Sequence, residues 1–199
     1  MTIHEEIPKR LIMFISLCLL TLLGVLFGTL LFIYADEDRT QALLALGDSF
    51  ISDRLSLDPG ALLLKVFGVG ALFMITAFIL GLCAVGQPFC IIVLIYRAVG
   101  FGSAMAQVYG ASGKEGFREF IFLYFPEGAA ALLILILAAR ESLSMSGIIL
   151  RRLISDRGYE NTKEITKLYS VKFMILLAIY GVCSLVQCIM ALIYTKAFM

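Results

Sequence analysis

The chain contains five apolar stretches that are each long enough to cross a membrane as a helix, and this feature limits its fold more than any other. A hydrocarbon core of about 30 Å requires about 20 apolar residues in a helix. Apolar residues make up 61% of the 199 residues, where globular domains have just under half. The sequence therefore predicts an all-α, polytopic membrane bundle that forms a single membrane domain over residues 1–199. The predicted spans are residues 11–34, 61–85, 88–109, 118–139 and 171–195.

Two local features of the apolar stretches predict how the chain enters the membrane and where it turns. The first span follows Lys9 and Arg10 as a secretory signal would, but its run of about 24 apolar residues exceeds the 7–15 of a signal core, so an uncleaved anchor is predicted. The second and third spans are separated only by Gly86, Gln87 and Pro88. Because proline is favoured in the first turn of a helix, this segment predicts a tight hairpin of two helices.

The charges of the loops predict the orientation of the bundle. Residues 35–60 are mainly acidic, whereas residues 140–170 are rich in arginine and lysine and share that property with Lys9 and Arg10. Basic loops face the cytoplasm in membrane proteins. Five crossings therefore predict an N-terminus inside and a C-terminus outside, with 35–60 as an outer loop and 140–170 as an inner one.

The outer loop has apolar residues at roughly helical spacing, and the inner loop alternates apolar and basic residues. In the outer loop this pattern favours a short helix on the membrane surface, either a linker that shields its apolar face or an external docking surface. The inner loop suits either a simple orientation signal or a surface helix against anionic lipid. The residues of the candidate docking surface are Leu43, Leu46, Asp48, Phe50 and Asp53.

Two charged residues, Arg97 and Glu127, lie well away from the ends of the predicted spans. Arg97 lies about 12 residues from the outer end of the third span, where an unpaired charge costs at least about 2.5–3.5 kcal/mol. Glu127 lies at a similar depth in the fourth span. We therefore expect the two to form an intramembrane ion pair, which either locks two helices together or lines a polar path for protons or a substrate.

Small residues and prolines mark candidate packing sites. Gly100 and Gly102 would let the third helix approach a neighbour closely, and Gly24 and Gly28 would do the same for the first helix, within the bundle or in a dimer. Pro126 and Gly128 flank Glu127 and predict a kink in the fourth helix. Pro88 belongs to the same set of packing and kink positions.

Several function classes have little support in the sequence. The net charge of +1 and the lack of a basic cluster argue against nucleic acid as a partner. The five cysteines form no Cys-x-x-Cys pair, and the single histidine is His4, so neither a metal site nor another cofactor is expected. The chain also lacks the common hydrolase and phosphate-binding motifs, so we expect no catalytic residues and no enzyme activity.

Five short motifs between about Phe67 and Ser146 resemble the stage II sporulation protein M family. They are GLCAVGQP at 81–88, YRAVGFGSA at 96–104, YGASGKEG at 109–116, FPEGAAALL at 125–133 and AARESLSMS at 138–146. The resemblance implies a bacterial cell-membrane protein with about five spans that acts in engulfment during endospore formation. It also implies a scaffold for peptidoglycan hydrolases rather than a hydrolase.

Two hypotheses for function follow. The first is a non-enzymatic membrane scaffold that contacts the lipid bilayer and wall-remodelling proteins, through residues 35–60, a short outer turn at 110–117 and lipid-facing helix surfaces. The second is a transport or channel component in which Arg97, Glu127, Gln107 and Gln87 line a polar route. Oligomerisation stays open in both.

Overall fold

The computed structural model describes residues 3–34, 59–119, 124–155 and 162–198, and within these ranges it contains five helices and no strand. Each helix includes a stretch that is long and apolar enough to cross a membrane. This confirms the predicted all-α membrane fold, while the orientation of the bundle stays a prediction. The helices are α1 (Ile3–Ile33), α2 (Pro59–Leu82), α3 (Gln87–Glu119), α4 (Phe125–Ser155) and α5 (Thr162–Phe198).

Prolines stand at the starts of three of these helices. Pro59 is the first residue of α2, and Pro88 and Pro126 are the second residues of α3 and α4. A proline in the first turn removes no helical hydrogen bond, and its fixed φ suits the helix. The predicted kink at Pro126 and Gly128 is therefore replaced by a helix start, since both residues lie in the first turn of α4.

α3 and α4 continue well past the C-terminal ends of their predicted spans. α3 continues to Glu119, so residues 110–117 are helical rather than a short turn. α4 begins at Phe125 and continues to Ser155, well past the expected end at residue 139. The charges at Arg140 and Glu141 suggested a loop, but Arg140 Nη2 lies 2.7 Å from Glu141 Oε1, and charged side chains that pair with each other occur within membrane helices. Much of the predicted inner loop 140–170 is consequently helical.

α4 is the central helix of the bundle. It contacts all four other helices, and 50% of its membrane span is buried, against 22% for α1. Small side chains, among them Ala138 and Ala139, are almost fully buried on α4 and allow its neighbours to approach. The outer faces of the bundle carry many exposed leucines, isoleucines and phenylalanines, as expected where lipid replaces water as the solvent.

α1 packs against α3 through glycines on both helices. A Cβ atom added at Gly24 would lie 2.9 Å from Ala98 Cβ, and one added at Gly28 would lie within 2.2 Å of the carbonyl oxygen of Val99. Gly102 faces the carbonyl oxygen of Val25 in the same way. Gly24 and Gly28 are therefore used inside the bundle, which favours this interpretation over a dimer. Gly100 differs, because an added Cβ would meet no described atom within 4 Å.

Gly102 and Gly100 provide a matched test of this contact. Gly102→Ala should lower the free energy of unfolding of the purified protein by about 1–3 kcal/mol, because a Cβ atom would clash with the backbone of α1. Gly100→Ala should have no such cost, since alanine is the better helix former. Melting temperatures in a mild detergent measure both, and equal stability of the two variants would contradict the proposed packing.

Candidate functional site

Arg97, Glu127 and Tyr180 meet in the interior of the bundle, and we call them the polar centre. Arg97 Nη2 lies 4.0 Å from Glu127 Oε1, and the two side chains are 14% and 2% exposed. The Tyr180 hydroxyl is 3.1 Å from the same oxygen, to which it donates a hydrogen bond. The structure thus brings together the two charges that the sequence singled out and adds a tyrosine from α5.

The polar centre also involves α2. The Tyr180 hydroxyl also lies 3.0 Å from the carbonyl oxygen of Val66, so its one proton is shared between this oxygen and Glu127 Oε1. Gly70 leaves space for the tyrosine ring, because a Cβ at this position would lie 2.1 Å from Tyr180 Cζ. The Arg97 guanidinium carbon is 5.4 Å from the centre of the Phe73 ring, within cation–π range. Four helices therefore meet at these side chains.

The start of α4 determines the position of Glu127. The residue lies in the first turn, where acidic side chains are favoured by the partial positive charge of the helix end. Gly128 follows it and packs against the Phe101 ring, which a Cβ atom would approach to 2.2 Å. The glycine thus holds this end of α4 close to α3, and this contact brings Glu127 near Arg97.

The space around the polar centre is small. A cavity of about 10 Å³ is lined by Arg97, Tyr180, Gly70 and Phe73, together with apolar residues of α2 and α4, a volume that accommodates about one water molecule.

Gln87 lies at the other end of the bundle, where its amide nitrogen is 3.2 Å from the Cβ position of Gly147. Gln107 is ten residues from Arg97 along α3, about 15 Å. The predicted route through these four residues is therefore not assembled at one place.

A second set of polar contacts joins α4 and α5 to α2. Ser142 Oγ donates to the carbonyl oxygen of Ala77 at 2.7 Å, and the Tyr169 hydroxyl donates to that of Phe78 at 3.0 Å. Ser146 Oγ donates to the carbonyl oxygen of Cys83 at 2.7 Å, in the turn after α2. We call Ser142, Ser146 and Tyr169 the serine–tyrosine ladder.

The two serines of this ladder were not expected from the sequence to join helices. Their four-residue spacing places Ser142 and Ser146 on one face of α4, and that spacing was the available signal. Gly81 contributes to the ladder, since a Cβ there would lie 2.1 Å from the Tyr169 hydroxyl oxygen. The ladder holds α2 close to α4 and α5.

A third polar group lies near the same end of the bundle. Glu141 accepts from Arg140 Nη2 at 2.7 Å and from Lys172 Nζ at 2.6 Å. We call these three residues the basic triad. All are partly exposed, with 16% exposure for Glu141 and 30% and 38% for the two cations. Arg140 was predicted to lie in the inner loop and Lys172 at the start of the fifth span, so this group was not expected from the sequence.

The structure also bears on the predicted docking residues, on metal binding and on the cysteines. The docking residues Leu43, Leu46, Asp48, Phe50 and Asp53 lie outside the described residues. Within the described ranges, no group of three His, Cys, Asp or Glu side chains is arranged to hold a metal ion. The five cysteines are free thiols: Cys90 and Cys188 are buried, Cys18 and Cys183 are half-buried, and Cys83 is exposed in the turn after α2.

Ser142 and Ser144 test the ladder against a matched neighbour. Ser142→Ala should destabilise the protein by about 1–2 kcal/mol, because it removes a buried donor from the carbonyl of Ala77 and a partner from Tyr169. Ser144 is half-buried beside the basic triad, and Ser144→Ala should change the stability by less than about 0.5 kcal/mol. Melting in detergent compares the two, and a larger effect at Ser144 would overturn the assignment.

The polar centre, the ladder and the basic triad all lie in a part of the chain that matches a known protein family. The family model described as Stage II sporulation protein M matches residues 17–194, which include every residue of the polar centre, the ladder and the basic triad. No curated protein and no solved structure matches the chain.

Proposed function

Because the chain belongs to the stage II sporulation protein M family, we propose that it is a non-enzymatic scaffold in the bacterial cell membrane that recruits peptidoglycan hydrolases during engulfment. This family is not a known enzyme family. The single observation that carries the proposal is that Arg97 and Glu127 pair with each other and so join two helices of one packed bundle.

The partners of Glu127 support a structural role for the polar centre. Its carboxylate is almost completely buried and has a cation on α3 and a hydroxyl donor on α5. In a site of low dielectric constant such groups are strongly coupled, and removing one leaves the other unsatisfied. The favoured role of the pair is to fix the positions of four helices, which a scaffold requires.

The packing between the polar centre and the basic triad also favours a scaffold. Glu127 and Glu141 are separated by about 21 Å along α4. The α4 residues between them include Leu135, Ala138 and Ala139, which are at most 3% exposed. Close apolar packing resists the passage of ions and polar solutes. The arrangement therefore supports a rigid membrane platform.

Two surfaces of the platform are available for partners in this proposal. The first is the acidic outer segment 35–60, of which residues 35–58 lie outside the described ranges. The second is the outer face of α1, the least buried helix, where Leu22 and Leu26 are 65% and 60% exposed. Transmembrane segments of partner proteins would pack against such a face through shape and small polar contacts.

A transport or channel component is the second candidate, and the buried ion pair favours it. Charged residues inside membrane spans often mark substrate or proton paths. Arg97 and Glu127 are separated by 4.0 Å, a distance at which a water molecule or a small ligand can take part. This alternative requires the small cavity beside Arg97 to widen in another state of the protein.

Paired substitutions distinguish the two candidates. Arg97→Ala and Glu127→Ala should each lower the stability by about 3–5 kcal/mol, because each leaves a buried group without its partner. The double replacement Arg97→Met with Glu127→Leu should restore both the amount of protein in the membrane and its function as a scaffold. Quantitative immunoblots of membranes and melting of the purified variants measure these effects.

Arg151→Ala is the matched control, since Arg151 is exposed near the end of α4 and its loss should leave the stability unchanged. Normal amounts of the double variant together with lost function would contradict the structural role and support a polar path. Additive losses in the double variant would show that the two residues are not coupled.

Co-purification tests the scaffold itself. We expect the tagged protein, extracted in mild detergent from membranes of sporulating cells, to recover peptidoglycan hydrolases well above the untagged control in mass spectrometry. A variant with Leu43, Leu46 and Phe50 changed to serine should lose these partners while its membrane level is unchanged. Recovery of transport subunits, with no wall enzyme at any stage, would overturn the proposal.

A further inference from the structure

A cavity of about 220 Å³ lies between α1, α4 and α5, and one part of its lining is charged while another is apolar. Arg140, Glu141 and Lys172 form the charged part, and Met13, Ile148 and Leu168 belong to the apolar part. Neither the polar centre nor the family match accounts for this combination.

The charged part of the cavity has an excess of positive charge. Arg140 and Lys172 share the single carboxylate of Glu141, at 2.7 and 2.6 Å. A guanidinium group has five N–H donors and an ammonium group has three, and one carboxylate satisfies only some of them. Both cations are also more exposed than Glu141. The arrangement therefore presents donors and a net charge of about +1 to the cavity, as an anion requires.

The cavity lies toward the end of the bundle that carries the α2–α3 turn. Ser142, next to Glu141, contacts Ala77, which lies five residues before the end of α2, so the triad is about 8 Å from the α2–α3 turn along the helix axis. Ser146 contacts the turn itself. Long basic side chains near helix ends extend toward this interfacial region, where phosphate groups of phospholipids are located.

The size and lining of the cavity indicate which part of a lipid it accommodates. Its volume is below the range of about 300–1,000 Å³ that is usual for sites enclosing whole drug-sized ligands. A phosphate with its glycerol fits such a space, with the acyl chains outside in the bilayer. The side chain of Leu168 lines the cavity and is 59% exposed, and it offers an apolar contact that a free phosphate would not use.

We infer that Arg140 and Lys172, held by Glu141, bind the phosphate headgroup of an anionic phospholipid from the leaflet at this end of the bundle. Met13, Ile148 and Leu168 contact its glycerol and the first carbons of its chains. The bound lipid would bridge α1 to α4 and α5 and stabilise the least buried helix. This inference does not depend on the scaffold proposal, since it concerns the lipid rather than a protein partner.

Lipid titration with native mass spectrometry tests the inference on the full-length protein in detergent. Phosphatidylglycerol should bind more tightly than phosphatidylcholine with the same chains. Lys172→Met should weaken phosphatidylglycerol binding by roughly tenfold or more, because it removes a charged donor. Lys167→Met is the matched control: it makes the same change five residues away on the same helix, at an exposed position outside the cavity, and should leave binding unchanged.

Two further variants keep the result informative if Lys172→Met is unstable. Lys172→Arg should retain binding, and Glu141→Gln should also retain it, since the amide oxygen can still accept from one of the cations while the competing negative charge is removed. Equal losses in the Lys172 and Lys167 variants would mean general surface attraction and would overturn the site, as would unchanged binding in Lys172→Met. Competition by soluble glycerol phosphate at concentrations similar to those of the lipid would also overturn it, in favour of a soluble anion.

Discussion

The contact of Glu127 with Arg97 and Tyr180 is the interaction on which the arrangement of this bundle depends most. In lipid there is little hydrophobic gain when two apolar helices meet, so polar contacts and close packing decide which helices become neighbours. A buried carboxylate is strongly unfavourable unless it has a cation and hydrogen-bond donors around it. Here the partners come from α3 and α5, and the same tyrosine also contacts α2. The positions of three helices relative to α4 follow from one side chain.

The rest of the bundle follows from small residues and hydroxyl groups. The serine–tyrosine ladder attaches the end of α2 to α4 and α5 through backbone carbonyls. α1 has no part in the polar centre and instead approaches α3 through glycines, with Thr29 Oγ1 3.2 Å from the carbonyl oxygen of Gly102. Such a structure has a rigid interior and a peripheral first helix. This division suits a protein that holds partners at its surface better than one that opens through its centre.

The sequence predicted the five helices and the meeting of Arg97 with Glu127, because both depend on the cost of placing polar groups in lipid. It did not predict where α4 begins and ends. Arg140 and Glu141 look like the boundary of a span until their contact with Lys172, far along the chain, is known. Tyr180, Gly70 and the serines escaped notice for a related reason: their roles depend on partners in other helices, and hydroxyls and glycines are common in membrane spans. The docking residues of segment 35–60 lie outside the described structure, so that part of the site is still a prediction.

Accessibility of the polar centre to water tests the central claim most directly. In a variant with the native cysteines replaced, Ala131→Cys would place a thiol beside Arg97 in the small cavity, and Val85→Cys would place one in the exposed α2–α3 turn. The protein is reconstituted in vesicles and treated with a membrane-impermeant thiol reagent on both sides. We expect rapid labelling at residue 85 and none at residue 131, as a closed structural centre requires. Labelling at residue 131 at a rate near that of residue 85, in a folded protein, would contradict the account and indicate a water-filled path.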